Sequence, residues 1–290
     1  MLDKFESYMR SVNMSENTVI SYSRDVRQFL GFIQAKGIGV QDVDHQVLLG
    51  FLEHLTHRDL RSSTKRRKIE AVKTFYRAMK RTGELKENPA AGFRDMPGKQ
   101  ETRARVLTEM EYRTLRDVVK GSRRKSSIRD YAILELALQT GLRRAEICSL
   151  CMDDVQLSTR TTVGHVRVRK GKGGKERSVT MNDAAEGALK AYLACRARDT
   201  GHREVFLNNR LKPCTPAIIS VIFRRYMEQA GIDGASFHSL RHTFATHSLK
   251  MGTNIIVVQE ALGHKSITTT RKYLHFLEEM MDRQLTKNVL

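Results

Sequence analysis

Apolar residues recur along the first hundred positions at intervals of three and four. After Ser15, whose hydroxyl can cap a helix N-terminus, Val19, Tyr22, Val26, Phe29, Leu30 and Ile33 fall on one helical face. Asp44 is placed to cap a third helix carrying Val47, Leu48, Phe51, Leu52 and Leu55, and a fourth, beginning near Ser63, presents Ile69, Val72, Tyr76 and Met79 to a core. Four helices within about 80 residues predict a small all-α bundle, since such bundles join neighbouring helices by short loops.

The pattern then stops. In ENPAAGFRDMPGKQETRAR, Pro89 and Pro97 enclose a stretch with little periodicity, which reads as a linker near residue 100. Beyond it the elements are mixed. SIRDYAILELALQTGLRRAEICSL predicts a long helix, a break at Gly141 and a second helix start with Glu146 in its first turns. VGHVRVRKGKGGKERSVT carries Val163, Val166 and Val168 among polar residues, breaks at a Gly/Lys turn and resumes, which predicts a hairpin. Helices are expected at about 184–199, 216–230 (Thr215 as cap, Pro216 as first residue), 239–251 and 254–262. The fold class predicted is mainly α (α+β), two domains, the second mostly helical with a small antiparallel β-sheet.

Charge narrows the partner. Lys and Arg number 51 against 32 Asp and Glu, a net +19, and both halves share the surplus. Such a surplus points to a polyanion, nucleic acid or an anionic membrane. No apolar run approaches the roughly 18 residues of a membrane span, and Asp3, Lys4 and Glu6 interrupt the start, unlike a secretory signal. These features favour nucleic acid and a cytoplasmic protein, with no membrane partner. On the fourth helix Arg66, Lys73, Arg77 and Lys80 form a narrow stripe away from the apolar face, either a solvated surface or a set of phosphate contacts; the net charge favours DNA binding. Of four cysteines, Cys148 and Cys151 make one C-x-x-C without a second close pair, so they read as reduced thiols at a helix and its exit rather than a zinc site.

Candidate chemistry gathers in four fragments. FHSLRHTFATH holds His238, Arg241, His242 and His247; His238 and His242 have the spacing of a helical zinc pair, but Ser239 stands where a metalloprotease needs Glu. His238 and Arg241, three apart at a helix start, can instead face one anion. LGHKSITTTRKYLHF presents His264 after a Gly and Tyr273 nine residues on. TGLRRAEICSL offers Arg143 directly after a helix break, and GKGGKER offers Lys172 at a hairpin tip, where glycines allow close approach to a ligand.

In that order these fragments resemble the tyrosine recombinases, and within them the compact Xer-like and the transposon or phage integrase proteins. The matching motifs are T-G-L-R with a Glu at Thr140 to Arg143 and Glu146, G-K-G-x-K-x-R at Gly171 to Arg177, H-x-L-R-H at His238 to His242, and L-G-H followed by Tyr at Leu262 to His264 and Tyr273. The stretch from Arg143 to Lys172 includes LSTRTTVGH and is a few residues longer than in compact Xer proteins; such a loop disturbs neither motif and bears only on how near the Xer branch the chain lies.

The resemblance implies an N-terminal four-helix SAM-like core-binding domain over residues 1–97, a linker over 98–105 with Arg94, Lys99, Arg103 and Arg105 in or beside it, and a catalytic domain over 106–290 with a docking tail from about residue 276. It implies Tyr273 as nucleophile, Arg143 and Arg241 on the phosphate, Lys172 as the acid for the leaving oxygen, His238 as acid or base, His264 as hydrogen-bond donor, Glu146 as their support, and no metal or other cofactor. The implied activity is site-specific recombination of double-stranded DNA through a 3′-phosphotyrosine intermediate and a Holliday junction, by a tetramer on DNA, with accessory DNA-bending proteins as further partners. The competing readings are a type IB topoisomerase, a non-catalytic DNA-binding regulator and a metal-dependent nuclease.

Overall fold

A computed structural model of the chain describes residues 1–95, 105–169, 176–197 and 200–263. Its contacts divide the chain into two compact units, residues 1–102 and 103–290.

The first unit contains α1 (Leu2–Ser11), α2 (Glu16–Gln34), α3 (His45–Thr56) and α4 (Ser62–Arg81). The Ser15 hydroxyl accepts from the Thr18 N–H and the Asp44 carboxylate from the Val47 N–H, so two of these helices start where a side chain satisfies an orphan donor. Val19, Val26, Phe29 and Ile33 of α2, Leu48, Phe51 and Leu55 of α3, and Ile69, Val72, Tyr76 and Met79 of α4 are buried in one core with Phe5 and Met9 of α1, while Tyr22, Leu30, Val47 and Leu52 lie half-buried at its margin. Phe29 and Phe51 meet edge to face at 5.1 Å, a favoured ring arrangement. One charge enters this core: Asp25 is 1% exposed and is held by Arg67 and, at 2.8 Å, by Lys68.

The second unit is arranged around α6 (Ser127–Thr140), whose Ala132, Ile133, Leu134, Leu136, Ala137 and Leu138 are all buried. A helix apolar on every side must be covered on every side, and α5 (Glu109–Lys120), α7 (Arg144–Ser149), α8 (Asp183–Cys195) and α10 (Phe237–Lys250) pack on it, with α9 (Pro216–Gln229) against α5, α7 and α10. The helix α5 was not anticipated from periodicity, although Thr108 and Glu111 form the reciprocal cap that its T-x-x-E sequence encodes. Strands β1 (Val155–Gln156), β2 (His165–Val168) and β3 (Arg177–Thr180) form an antiparallel sheet in that order, with Val166 opposite Val179 and Val168 opposite Arg177. The last described helix, α11 (Ile255–Leu262), lies against α10 and β3.

Two expectations shift. Val163 lies outside the hairpin, 66% exposed, because Thr159 and Thr162 close a turn (Thr159 N–H to Thr162 carbonyl, 2.9 Å) and β2 starts only at His165. The helix expected over 184–199 ends at Cys195: Arg196 turns to extended backbone, and its guanidinium donates to the carbonyls of Ala197, His202, Glu204 and Val205, fastening the exit loop. No helix among the described residues is long and apolar enough to cross a membrane. All four cysteines are free, with Cys148 in α7 and Cys151 just past its end, and no group of three or more metal-ligating side chains occurs among the described residues.

Candidate active site

Two helices end in glycines with left-handed backbone, and the site is built on those ends. Gly141 closes α6 at φ +63° and Gly263 closes α11 at φ +61°. Glycine adopts this conformation freely, and ending there leaves the last carbonyls of each helix without helical partners. At α11 the carbonyls of Ala261, Leu262 and Gly263, and at α6 the carbonyl of Gly141 itself, accept from arginines.

Arg241 lies in the second turn of α10, three residues beyond His238, and is 2% exposed. Its Nη1 donates to the Gly141 carbonyl and its Nη2 to the Leu262 carbonyl, each at 2.6 Å. Arg143 stands immediately before α7; its Nη2 donates to the Gly263 carbonyl at 3.0 Å. Arg177, the first residue of β3, donates from Nε to the Ala261 carbonyl at 2.8 Å. Three consecutive carbonyls at the C-terminus of α11 thus each accept a hydrogen bond from a different arginine. The negative end of a helix dipole favours cations there by about 0.3–1 kcal/mol each, and up to about 2 kcal/mol where partly buried.

Glu146 joins two of these cations. Its Oε2 accepts from the Arg143 backbone N–H and from Arg177 Nη2, both at 2.8 Å, and its Oε1 from Arg143 Nη1 at 2.8 Å and Arg177 Nη1 at 3.0 Å. Burial by itself would raise this carboxyl, but the Arg177 guanidinium, the Arg143 N–H and the Arg143 guanidinium outweigh it and hold the group below the usual carboxylate range. The carboxylate form, so favoured, grips the Arg143 and Arg177 guanidinium groups.

His238 sits in the first turn of α10 on its solvent side, its ring 4.5 Å from that of His242. Partial enclosure pushes the imidazole below its ordinary value, and the positive charges of Arg241, Arg143 and Arg144 push the same way. Its neutral form is therefore favoured beside these three guanidinium groups. Arg143, Glu146, His238 and Arg241 are brought into one neighbourhood from positions about a hundred residues apart. Lys172, His264 and Tyr273 lie outside the described residues, as do Lys99, Arg103 and the tail from residue 276. Arg177 is the residue whose part the sequence left unassigned; its only signal was the final Arg of G-K-G-x-K-x-R.

The profile described as phage integrase family matches residues 105–280, and that of the phage integrase N-terminal SAM-like domain matches residues 2–83. The chain belongs to the phage integrase family. Among its relatives, tyrosine recombinase XerC of Pelobacter propionicus is 35% identical over 275 residues, covering 93% of this chain and 88% of that protein. Tyrosine recombinase XerC of Bacillus subtilis is 32% identical over 278 residues, covering 93% and 89%. In fold, the chain is similar to XerH site-specific recombinase in a post-cleavage complex with a palindromic difH substrate (TM-score 0.76, 20% identity, 98% and 94% covered). The chain is thus a tyrosine recombinase, an enzyme of site-specific DNA recombination, with the SAM-like and catalytic domains of that family.

On the first unit the basic stripe of α4 is partly committed. Arg66, Arg77 and Lys80 are exposed, whereas Lys73 is half-buried and its Nζ donates to the Phe93 carbonyl at 2.9 Å.

Proposed function

We propose that this recombinase cuts and rejoins double-stranded DNA at a specific recombination site by transesterification, with Tyr273 as nucleophile, a 3′-phosphotyrosine intermediate and a Holliday junction between the two strand exchanges. The observation that carries this reading is the meeting of Arg143 and Arg241 at the end of α11, beside a His238 whose neutral form is favoured and one residue before His264.

The chemistry follows from charge. A phosphodiester anion gains negative charge at its equatorial oxygens as the fifth bond forms, so preorganised guanidinium groups stabilise the transition state more than the ground state. A guanidinium carries five N–H donors in a planar fork, so one group can be fixed by a backbone carbonyl and also suit the oxygens of a phosphate. The backbone anchors hold the forks in place before substrate arrives, which removes reorganisation from the barrier. Tyrosine ionises near pH 10, so its proton must leave as the oxygen attacks, and His238, its neutral form favoured, is a suitable acceptor. Lys172 would protonate the departing 5′ oxygen and His264 would donate to a phosphate oxygen. Because one diester replaces another, no external energy source is needed, and the cationic set does the work that a metal does in other phosphoryl transferases.

The exposed face of α4, with Arg66, Arg77 and Lys80, is proposed to contact DNA phosphates. Exchange of two strands in each of two duplexes calls for four protomers on the DNA, and the apolar positions Leu277, Met280, Met281 and Leu285 are proposed to dock on a neighbouring protomer. Accessory DNA-bending proteins are further proposed partners, and the proposed compartment is the cytoplasm, which holds the DNA and keeps thiols reduced. The test is to react the protein with a library of nicked duplexes, isolate covalent adducts, sequence the DNA and map the modified residue. Adducts on Tyr273, absent from Tyr273→Phe, are expected at a defined sequence; adducts on another residue, or none, refute the reading. Relaxation of plasmid lacking any selected sequence would favour a topoisomerase instead.

A further inference from the structure

Arg177 is engaged through all three of its guanidinium nitrogens, although none of the chemistry above uses it. Its side chain is 12% exposed; Nη1 and Nη2 form a two-pronged grip on the Glu146 carboxylate at 3.0 and 2.8 Å, and Nε holds the Ala261 carbonyl at 2.8 Å. The two prongs fix the plane of the carboxylate, whose oxygens then present their remaining lone pairs to the backbone N–H and Nη1 of Arg143. The third nitrogen ties the same guanidinium to the last turn of α11. Gly263 lies directly against it: a Cβ there would stand 2.8 Å from Arg177 Nη1. On its own strand Arg177 faces Val168 across the β2–β3 pair, and Lys172 lies between these two strands in sequence.

We infer that Arg177 is a positioning residue of the reaction: through Glu146 it sets the guanidinium of Arg143, and through α11 it sets the start of the chain that leads to His264 and Tyr273. The inference rests on the site proposed above. One side chain thereby registers β3, the Arg143 guanidinium and the end of α11 against each other. A lysine could keep a positive charge beside Glu146, but a single ammonium cannot reproduce the planar fork while also reaching the Ala261 carbonyl.

The experiment uses the full chain with a nicked duplex bearing its selected site, and compares Arg177→Gln, Arg177→Lys, Glu146→Gln and the double variant R177Q/E146Q. Measured are the rate of covalent adduct formation at saturating DNA, the DNA dissociation constant and the melting temperature. Misplacing a reacting group by about 1 Å costs on the order of a hundredfold in rate, so R177Q is expected to slow adduct formation about a hundredfold with DNA affinity within about threefold of wild type. R177K should keep the wild-type melting temperature and still be slowed more than about tenfold. Because Arg177 is read as acting through Glu146, the double variant should be no slower than the slower single variant, whereas independent roles would multiply. Wild-type rates in R177Q and R177K overturn the inference, as does parallel loss of rate, affinity and melting temperature in both. If wild-type protein forms its adduct on Tyr273 while these variants match it, only the inference fails; if wild type forms no adduct, the underlying site assignment fails.

Discussion

Replacing Gly141 by alanine tests whether the end of α6 is as tightly constrained as the geometry indicates. Two costs arise. The residue sits at φ +63°, where a Cβ adds strain of roughly 1–2 kcal/mol. The Cβ would also stand 2.4 Å from Phe244 Cδ1 and 2.8 Å from Leu262 Cδ2, inside any real contact, and overpacking of this kind costs about 1–3 kcal/mol. Gly252 provides the control: at φ +84° it is just as left-handed, but a Cβ there meets nothing within 4 Å. Gly252→Ala should therefore carry the strain alone, and any stiffening of the unfolded chain is common to both variants and cancels in the comparison. The difference, about 1–3 kcal/mol, corresponds to a melting temperature for Gly141→Ala roughly 2–12 °C below that of Gly252→Ala in a domain of this size. Differential scanning calorimetry of the two full-length variants reads it, and Phe244→Leu added to Gly141→Ala should restore part of the loss by relieving the clash. Since the Gly141 carbonyl also anchors Arg241, adduct formation on a nicked duplex should slow as well. Equal destabilisation by the two alanines would refute the packing argument.

Asp25→Ala leaves Lys68 and Arg67 without their shared anion and should destabilise the first unit by about 2–3 kcal/mol, less than the 3–5 kcal/mol of a fully enclosed pair because Arg67 is 41% exposed; a urea midpoint unmoved from wild type would contradict this. The Glu186 carboxyl is held down to about 2 from 4.5 by Lys190, the Ser158 hydroxyl and the Ser158 N–H. Its folded value being depressed, its contribution is complete above pH 4.5 and disappears as pH falls towards 2, so the stability gap between wild type and Glu186→Gln should narrow over that window in urea titrations; a gap independent of pH would disprove it. Removing Arg77 or Lys80 should weaken binding to all DNA sequences alike and lower the slope of log affinity against log salt by about 1 each in anisotropy titrations, whereas an unchanged slope would remove α4 from the interface.

Much of this was written in the chain. Helices α2, α3, α9 and α11 follow from local rules, apolar spacing and a Ser, Asp, Thr or Asn whose side chain accepts from an N–H of the first turn, while α4 follows from its apolar spacing without such a cap. The glycine breaks at Gly141 and Gly263 are legible for the same reason. Where local signals compete, the reading slipped: Val163 has strand propensity but lost to a threonine-closed turn, and α8 stopped at Cys195 because Arg196 found carbonyl partners in a loop that only folding brings near. The helix α5 carried a complete capping signature in Thr108 and Glu111 that its sparse apolar spacing concealed.

The candidate site divides along the same line. Composition, motif order and spacing pointed to the residue types of the proposed phosphate chemistry, because such chemistry depends on charge, proton affinity and nucleophilicity, which each side chain brings with it. They could not determine what holds those groups. Arg177 reaches Glu146 across 31 positions and Ala261 across 84, and Arg241 reaches Gly141 across 100. Hydrogen bonds over such separations form only once the helix ends and the hairpin are packed around α6, so tertiary structure alone decided that one helix terminus would gather three arginines.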